Sequence, residues 1–194
     1  MKNKSFIVAT KSKYKLALIS NIIKNFKAIQ PLYKEEKNII MSPDKKCIYL
    51  AKEKVKSLIQ NHSKSYIIAS DQLLICDGKE LFKPITKEKA FEQLLFMKNK
   101  TSIFYTGLAV YSPIDQKITT DYETCEIKIK NLPEQFLKKY IEEDKPYDCA
   151  GAFKIESKGI IITEYIKTKD YTSLIGFPLI KLSNILLKYN YEFF

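Results

Sequence analysis

Residues 66–73 read Tyr66-Ile67-Ile68-Ala69-Ser70-Asp71-Gln72-Leu73, and the parsing of this stretch decides the fold. The apolar run from Tyr66 predicts a buried strand, and the polar triplet behind it predicts the turn where that strand stops. A carboxylate there costs desolvation free energy unless a cation or hydrogen-bond donors hold it. Asp71 is thus either an ordinary turn residue or the acidic centre of a site. Outward from it, residues 73–76 read as strand and Asp77-Gly78 as a tight turn. Upstream, residues 5–9 predict a first strand, and 13–26 a helix with Leu16, Ile19, Ile22, Ile23 and Phe26 on one stripe. Residues 28–30 form a short second strand, and 43–61 a second helix with Ile48, Ala51, Val55, Leu58 and Ile59 on one face. Downstream, the pattern gives a helix over 86–97, a hairpin of strands 101–111 and 122–130, a helix over 133–143, a strand over 160–166 and a closing helix over 178–189. Strands alternating with helices around a central hairpin argue α/β with a mixed sheet.

At 194 residues and 45% hydrophobic content, the chain can build one domain or two lobes sharing a sheet. No apolar run approaches the roughly 20 residues of a membrane helix, and the four apolar residues after 1–5 are too few for a signal-peptide core. Cys47, Cys76, Cys125 and Cys149 are scattered, as expected of free thiols in a reducing cytoplasm. The net charge of +11 invites a nucleic-acid reading, yet all 33 basic residues are Lys and no run exceeds two. Specific readers of nucleic acid use the bidentate fork of Arg, which this chain lacks. A dedicated nucleic-acid surface is not expected.

Three groups of residues carry candidate chemistry. The turn from Thr10 to Lys15 precedes a helix that Ser12 can cap; free N–H groups, hydroxyls and Lys there suit a phosphate, or form only a capped surface helix. Asp71 and Lys83, the latter fixed by Pro84, read equally as a carboxylate beside a phosphate-binding Lys or as a surface ion pair. In Cys149-Ala150-Gly151-Ala152-Phe153-Lys154-Ile155-Glu156, the glycine allows close backbone approach, and Glu156 offers acceptors to a donor-bearing base edge or is solvated. His62 reads as a helix-end residue, and Cys149 lacks the His partner of a thiol nucleophile.

Together these pieces resemble the Maf family of nucleoside triphosphate pyrophosphatases, nearly end to end. The resemblance rests on residues 9–15 (Ala-Thr-Lys-Ser-Lys-Tyr-Lys), 50–54 (Leu-Ala-Lys-Glu-Lys), Ser70-Asp71-Gln72, Phe82-Lys83-Pro84, residues 105–109 and Gly176-Phe177-Pro178-Leu179. All five glycines fall where the family has glycine. It implies an elongated mixed sheet flanked by helices, with two lobes and a cleft between them, over a single domain spanning 1–194. It also implies hydrolysis of the α–β phosphoanhydride, with Asp71 as proton acceptor and Thr10, Ser12, Lys15, Lys54 and Lys83 on the phosphates. Glu35 would help hold a divalent cation, Mg²⁺ or Mn²⁺. Tyr14, Gln72 and Glu156 match the branch that acts on 7-methyl-GTP; the dTTP/UTP branch has Arg, Thr and Gln in their places. The implied partner is a nucleoside triphosphate, with no membrane and with room for a homodimer. Departures are Lys15 for Arg, Thr10 for Ser, Lys13 for Pro, Lys34 before Glu35 where Asp is expected, and Phe82 for Gly before Lys-Pro. The alternatives are a dTTP/UTP pyrophosphatase, a basic nucleic-acid-binding protein, and a weakened relative acting as an interaction protein in cell-division control.

Overall fold

A computed structural model describes residues 4–34 and 39–194. Among them lies one seven-stranded mixed sheet, ordered β2-β1-β3-β5-β6-β7 with β4 paired to β3. The strands are β1 (Phe6–Val8), β2 (Lys27–Ala28), β3 (Tyr66–Cys76), β4 (Lys79–Leu81), β5 (Thr101–Tyr111), β6 (Ile118–Ile129) and β7 (Thr163–Thr168). β1 runs parallel to β2 and β3, while β4 on β3 and β7 on β6 are antiparallel. The helices are α1 (Lys13–Ser20), α2 (Pro43–His62), α3 (Lys87–Met97), α4 (Glu134–Asp144), α5 (Gly159–Ile162), α6 (Thr172–Ile175) and α7 (Leu179–Lys188), with a 3₁₀ turn at Ala150–Ala152. This is the α/β mixed sheet with flanking helices that the periodicity predicts.

The chain divides into two compact units. The first comprises Met1–Gln72, Thr106–Glu123 and Asp170–Phe194; the second comprises Leu73–Tyr105 and Thr124–Lys169. In the first, strand alternation sorts the core onto two faces. Phe6 and Val8, Tyr66 and Ile68, and Leu108 and Val110 pack with Leu18 and Ile19 of α1 and with Leu182, Ile185 and Leu186 of α7. Ile7 and Ala9, Ile67 and Ala69, and Ala109 and Tyr111 pack with Ala51, Val55 and Leu58 of α2. Gly107 sits on the α2 side of β5, where an added Cβ would lie 2.3 Å from the backbone carbonyl of Cys47. In the second unit, α3 packs on α4 and on the 3₁₀ turn. There β3 and β4 turn through Asp77 and Gly78, both at positive φ (50° and 73°), as a two-residue hairpin of the I′ kind demands.

Three expectations need correction. Asp71 does not end a strand: β3 runs unbroken from Tyr66 to Cys76 and carries Asp71 in its middle. The polar triplet is tolerated because each side chain finds a partner from a distant segment, which local pattern cannot reveal. α1 stops at Ser20 rather than 26, although Ile23 beyond it remains fully buried. The apolar run after Gly159 starts as a helical turn, not as strand. Gly159 N–H donates to the Lys154 carbonyl at 3.0 Å, and Thr163 Oγ1 donates to the Gly159 carbonyl at 2.8 Å. Strand geometry begins only at Thr163.

Candidate active site

The parity of β3 builds the centre of the site. Asp71 shares the odd-numbered face with Ile67 and Ala69, so its side chain meets α2, whereas Ser70 and Gln72 face the opposite side. α2 is placed by Ala51, Val55 and Leu58, and on the same helix Lys54 pairs with Asp71 Oδ2. The two side chains are only 16% and 13% exposed, so this is not a solvated surface pair of negligible worth. The other carboxylate oxygen, Oδ1, accepts from the Gln72 backbone N–H at 2.8 Å.

On the opposite face, Ser70 Oγ donates to the Gly176 carbonyl at 2.6 Å. Gln72 Nε2 reaches Thr106 Oγ1 at 3.0 Å and the carbonyls of Ser173 and Leu174 at 2.8 and 3.1 Å. Because carbonyls only accept, these partners fix the orientation of the amide and turn Oε1 away from them. Lys15 Nζ donates to the Ser70 carbonyl at 2.9 Å, so a residue expected on phosphate also ties α1 to β3. Thr106 stands in the sequence only as part of the 105–109 match, and Ser173 and Leu174 do not stand out in it at all. The two carbonyls that hold Gln72 have no side-chain pattern to betray them.

The turn before α1 folds as its composition predicts. Ser12 is the N-cap and its Oγ accepts from the Lys15 N–H at 3.5 Å; Thr10 Oγ1 accepts from the Ser12 N–H at 3.1 Å. Tyr14 is half-buried in the first turn of that helix. Thr10, Ser12, Tyr14, Lys15, Lys54, Asp71 and Gln72 all belong to the first unit.

Lys83 and Glu156 belong to the second unit. Lys83 is exposed and makes no ion pair among the described residues, and the neighbouring Phe82 is 64% exposed. Glu156 sits in a loop braced by α4. Tyr140 Oη donates to the Ala152 carbonyl at 3.1 Å and accepts from the Lys154 N–H at 3.0 Å; Asp144 accepts from Ser157 Oγ at 2.8 Å and from the Lys158 N–H at 2.9 Å. Desolvation raises the carboxyl pKa of Glu156 above its ordinary value; its own backbone hydrogen bond and Lys154 oppose this, and Asp148 and Asp144 add to it.

Glu35 lies outside the described residues. Among those described, no three His, Cys, Asp or Glu side chains gather as a cation site. The carboxylate oxygens of Asp71 are nonetheless hard donors of the kind Mg²⁺ and Mn²⁺ take. A triphosphate-bound cation usually needs only one or two protein carboxylates, so the donor set fits. The four thiols are free, and desolvation pushes those of Cys47 and Cys149 up to about 12.

Comparison with known proteins adds four findings. A family profile described as "Maf-like protein" matches residues 5–189. The 7-methyl-GTP pyrophosphatase of Syntrophotalea carbinolica is 36% identical over 94% of this chain and 93% of its own. That of Vibrio parahaemolyticus is 34% identical over 99% of both chains. Among solved structures, the Staphylococcus aureus Ham1 protein aligns with a TM-score of 0.56 at 15% identity, over 97% of this chain and 100% of its own. That last likeness is one of fold.

Proposed function

Since the chain belongs to the family of Maf-like proteins, we propose that it is a nucleoside triphosphate pyrophosphatase that hydrolyses 7-methyl-GTP to 7-methyl-GMP and diphosphate. The observation that carries this reading is the mid-strand Asp71, set against Lys54 on one face and with both its neighbours pinned on the other. Its setting suits a general base. Water attacks the α-phosphorus as Asp71 takes its proton, the bond from that phosphorus to the bridging oxygen breaks, and diphosphate leaves. Thr10, Ser12, Lys15, Lys54 and Lys83 serve as phosphate partners, Lys54 sharing its ammonium between Asp71 and the ligand. Asp71 and Glu35 would hold Mg²⁺ or Mn²⁺, which when bound neutralises charge on the phosphates. No described helix is long and apolar enough to cross a membrane, and we place the activity in the cytoplasm.

Tyr14, Gln72 and Glu156 support the methylated guanine over a pyrimidine. Methylation at N7 makes the ring cationic, and an aromatic face at Tyr14 adds about 0.5–2 kcal/mol of cation–π attraction. A cation beside Glu156 also offsets the desolvation that disfavours its ionised carboxylate. Gln72 Oε1, turned from its carbonyl partners, is an acceptor for a donor edge. The test is turnover of 7-methyl-GTP, GTP, dTTP and UTP with Mg²⁺ and with Mn²⁺. Highest kcat/KM on 7-methyl-GTP is expected; preference for dTTP or UTP would move the chain to the other branch, and no turnover of any would end the enzymatic reading. Glu156→Gln should lower kcat/KM for 7-methyl-GTP about tenfold relative to dTTP, the cost of one mismatched polar contact. An unchanged ratio would remove Glu156 from base recognition.

A further inference from the structure

The carbonyls that hold Ser70 and Gln72 belong to α6 and to the glycine after it. α6 is four residues long, too short to keep its shape through its own hydrogen bonds. Its shape comes from Asp170, which is 2% exposed. Asp170 Oδ1 accepts from the Thr172 N–H at 3.0 Å and from Thr172 Oγ1 at 2.5 Å, while Oδ2 accepts from the Ile180 N–H at 2.8 Å. Thr172 Oγ1 in turn accepts from the Leu179 N–H at 3.0 Å. One carboxylate and one hydroxyl therefore join the start of α6 to the start of α7. The chain between closes through Gly176, at φ 117°, whose N–H donates to the Thr172 and Ser173 carbonyls. Thr106 Oγ1 adds a further tie, donating to the Ser173 carbonyl at 2.9 Å.

We infer that Asp170 and Thr172 are positioning residues for Asp71. They fix the carbonyls of Ser173, Leu174 and Gly176; these hold Gln72 and Ser70; and the residue between, by strand parity, is held toward Lys54. The inference rests on the proposed role of Asp71 as base. A buried carboxylate that only stabilised the fold would weaken the whole first unit evenly. A positioning pair acts on residues 69–73 in particular and on the chemical step.

Thr172→Val removes the hydroxyl at nearly constant shape, and Thr172→Ser restores it. In the full chain, at a temperature where circular dichroism matches wild type, Thr172→Val should lower kcat on 7-methyl-GTP about tenfold or more, with KM changed by a smaller factor than kcat. Thr172→Ser should stay within about twofold of wild type on both. Hydrogen–deuterium exchange should quicken at 69–73 in the Val variant while the segment 66–68 stays protected. Wild-type kcat and exchange in Thr172→Val, or faster exchange spread evenly over the sheet, overturns the inference. Should Thr172→Val not fold, Asp170→Asn is read by the same measurements. Should wild type turn over no nucleotide, the functional reading fails while the exchange result still decides: faster exchange confined to 69–73 sustains the clamp, and unchanged exchange overturns it.

Discussion

Asp71→Asn abolishes pyrophosphate release, by about 10²–10⁴-fold in kcat, the usual worth of a positioned general base. Asn matches Asp in shape and keeps an oxygen for the Gln72 N–H, which Asp71 Oδ1 now receives at 2.8 Å. The pins on Ser70 and Gln72 do not involve the Asp71 side chain, so the strand stays where it is. What is lost is the basic oxygen, the charge that faces Lys54 and one carboxylate of the proposed cation site. The freed ammonium still attracts phosphate, so KM should move less than kcat. Diphosphate release and thermal unfolding, measured on the same preparation, check this. A folded variant that keeps more than a tenth of wild-type turnover would show that another group takes the proton.

Gly107→Val unfolds the protein at markedly lower temperature. The glycine lies where β5 passes under α2, and any Cβ would overlap the Cys47 carbonyl and the Ile48 nitrogen, at 2.3 and 2.7 Å. Backbone atoms of a helix cannot swing aside as a side chain can. α2 must move bodily, away from the face formed by Ala51, Val55 and Leu58. Overpacking of this kind costs about 3 kcal/mol, which for a chain of this length corresponds to a fall in Tm of about 6–12 °C. Lys54 rides on the same helix, so residual folded protein should also lose activity. A variant melting within about two degrees of wild type would mean that α2 yields freely there.

Much of this was legible in advance because the apolar periodicities are clean. α2 begins at Pro43 and β5 spans Thr101–Tyr111 as the pattern predicts, and Ser12 caps α1. The polar triplet in β3 has the local pattern of a turn yet lies within a strand, because its partners lie far along the chain: Lys54 for Asp71, Gly176 for Ser70, and Thr106 and Ser173 for Gln72. The run after Gly159 reads as strand because β-branched residues favour it, while the contact of Gly159 with Lys154 sets a helical turn first. The pattern marks Asp71 and the lysines as candidates; what holds Ser70 and Gln72 on either side of Asp71 does not show in it, because backbone carbonyls have no letter in the sequence.

The alternation of β3 also says what kinds of sequence change the protein can survive. Between Tyr66 and Asp71 the strand behaves as a two-stroke count: one stroke feeds the α1 and α7 side, the next the α2 side. Swapping one aliphatic residue for another leaves the count alone. Losing or gaining a single residue there inverts it, sending the carboxylate toward the α6 carbonyls and the glutamine toward the lysine. Two acceptors would then face each other, and the lysine would trade its carboxylate partner for an uncharged amide. Substitutions within the strand are thus a matter of degree, whereas a one-residue deletion is a reversal of sign, and only changes in pairs restore it.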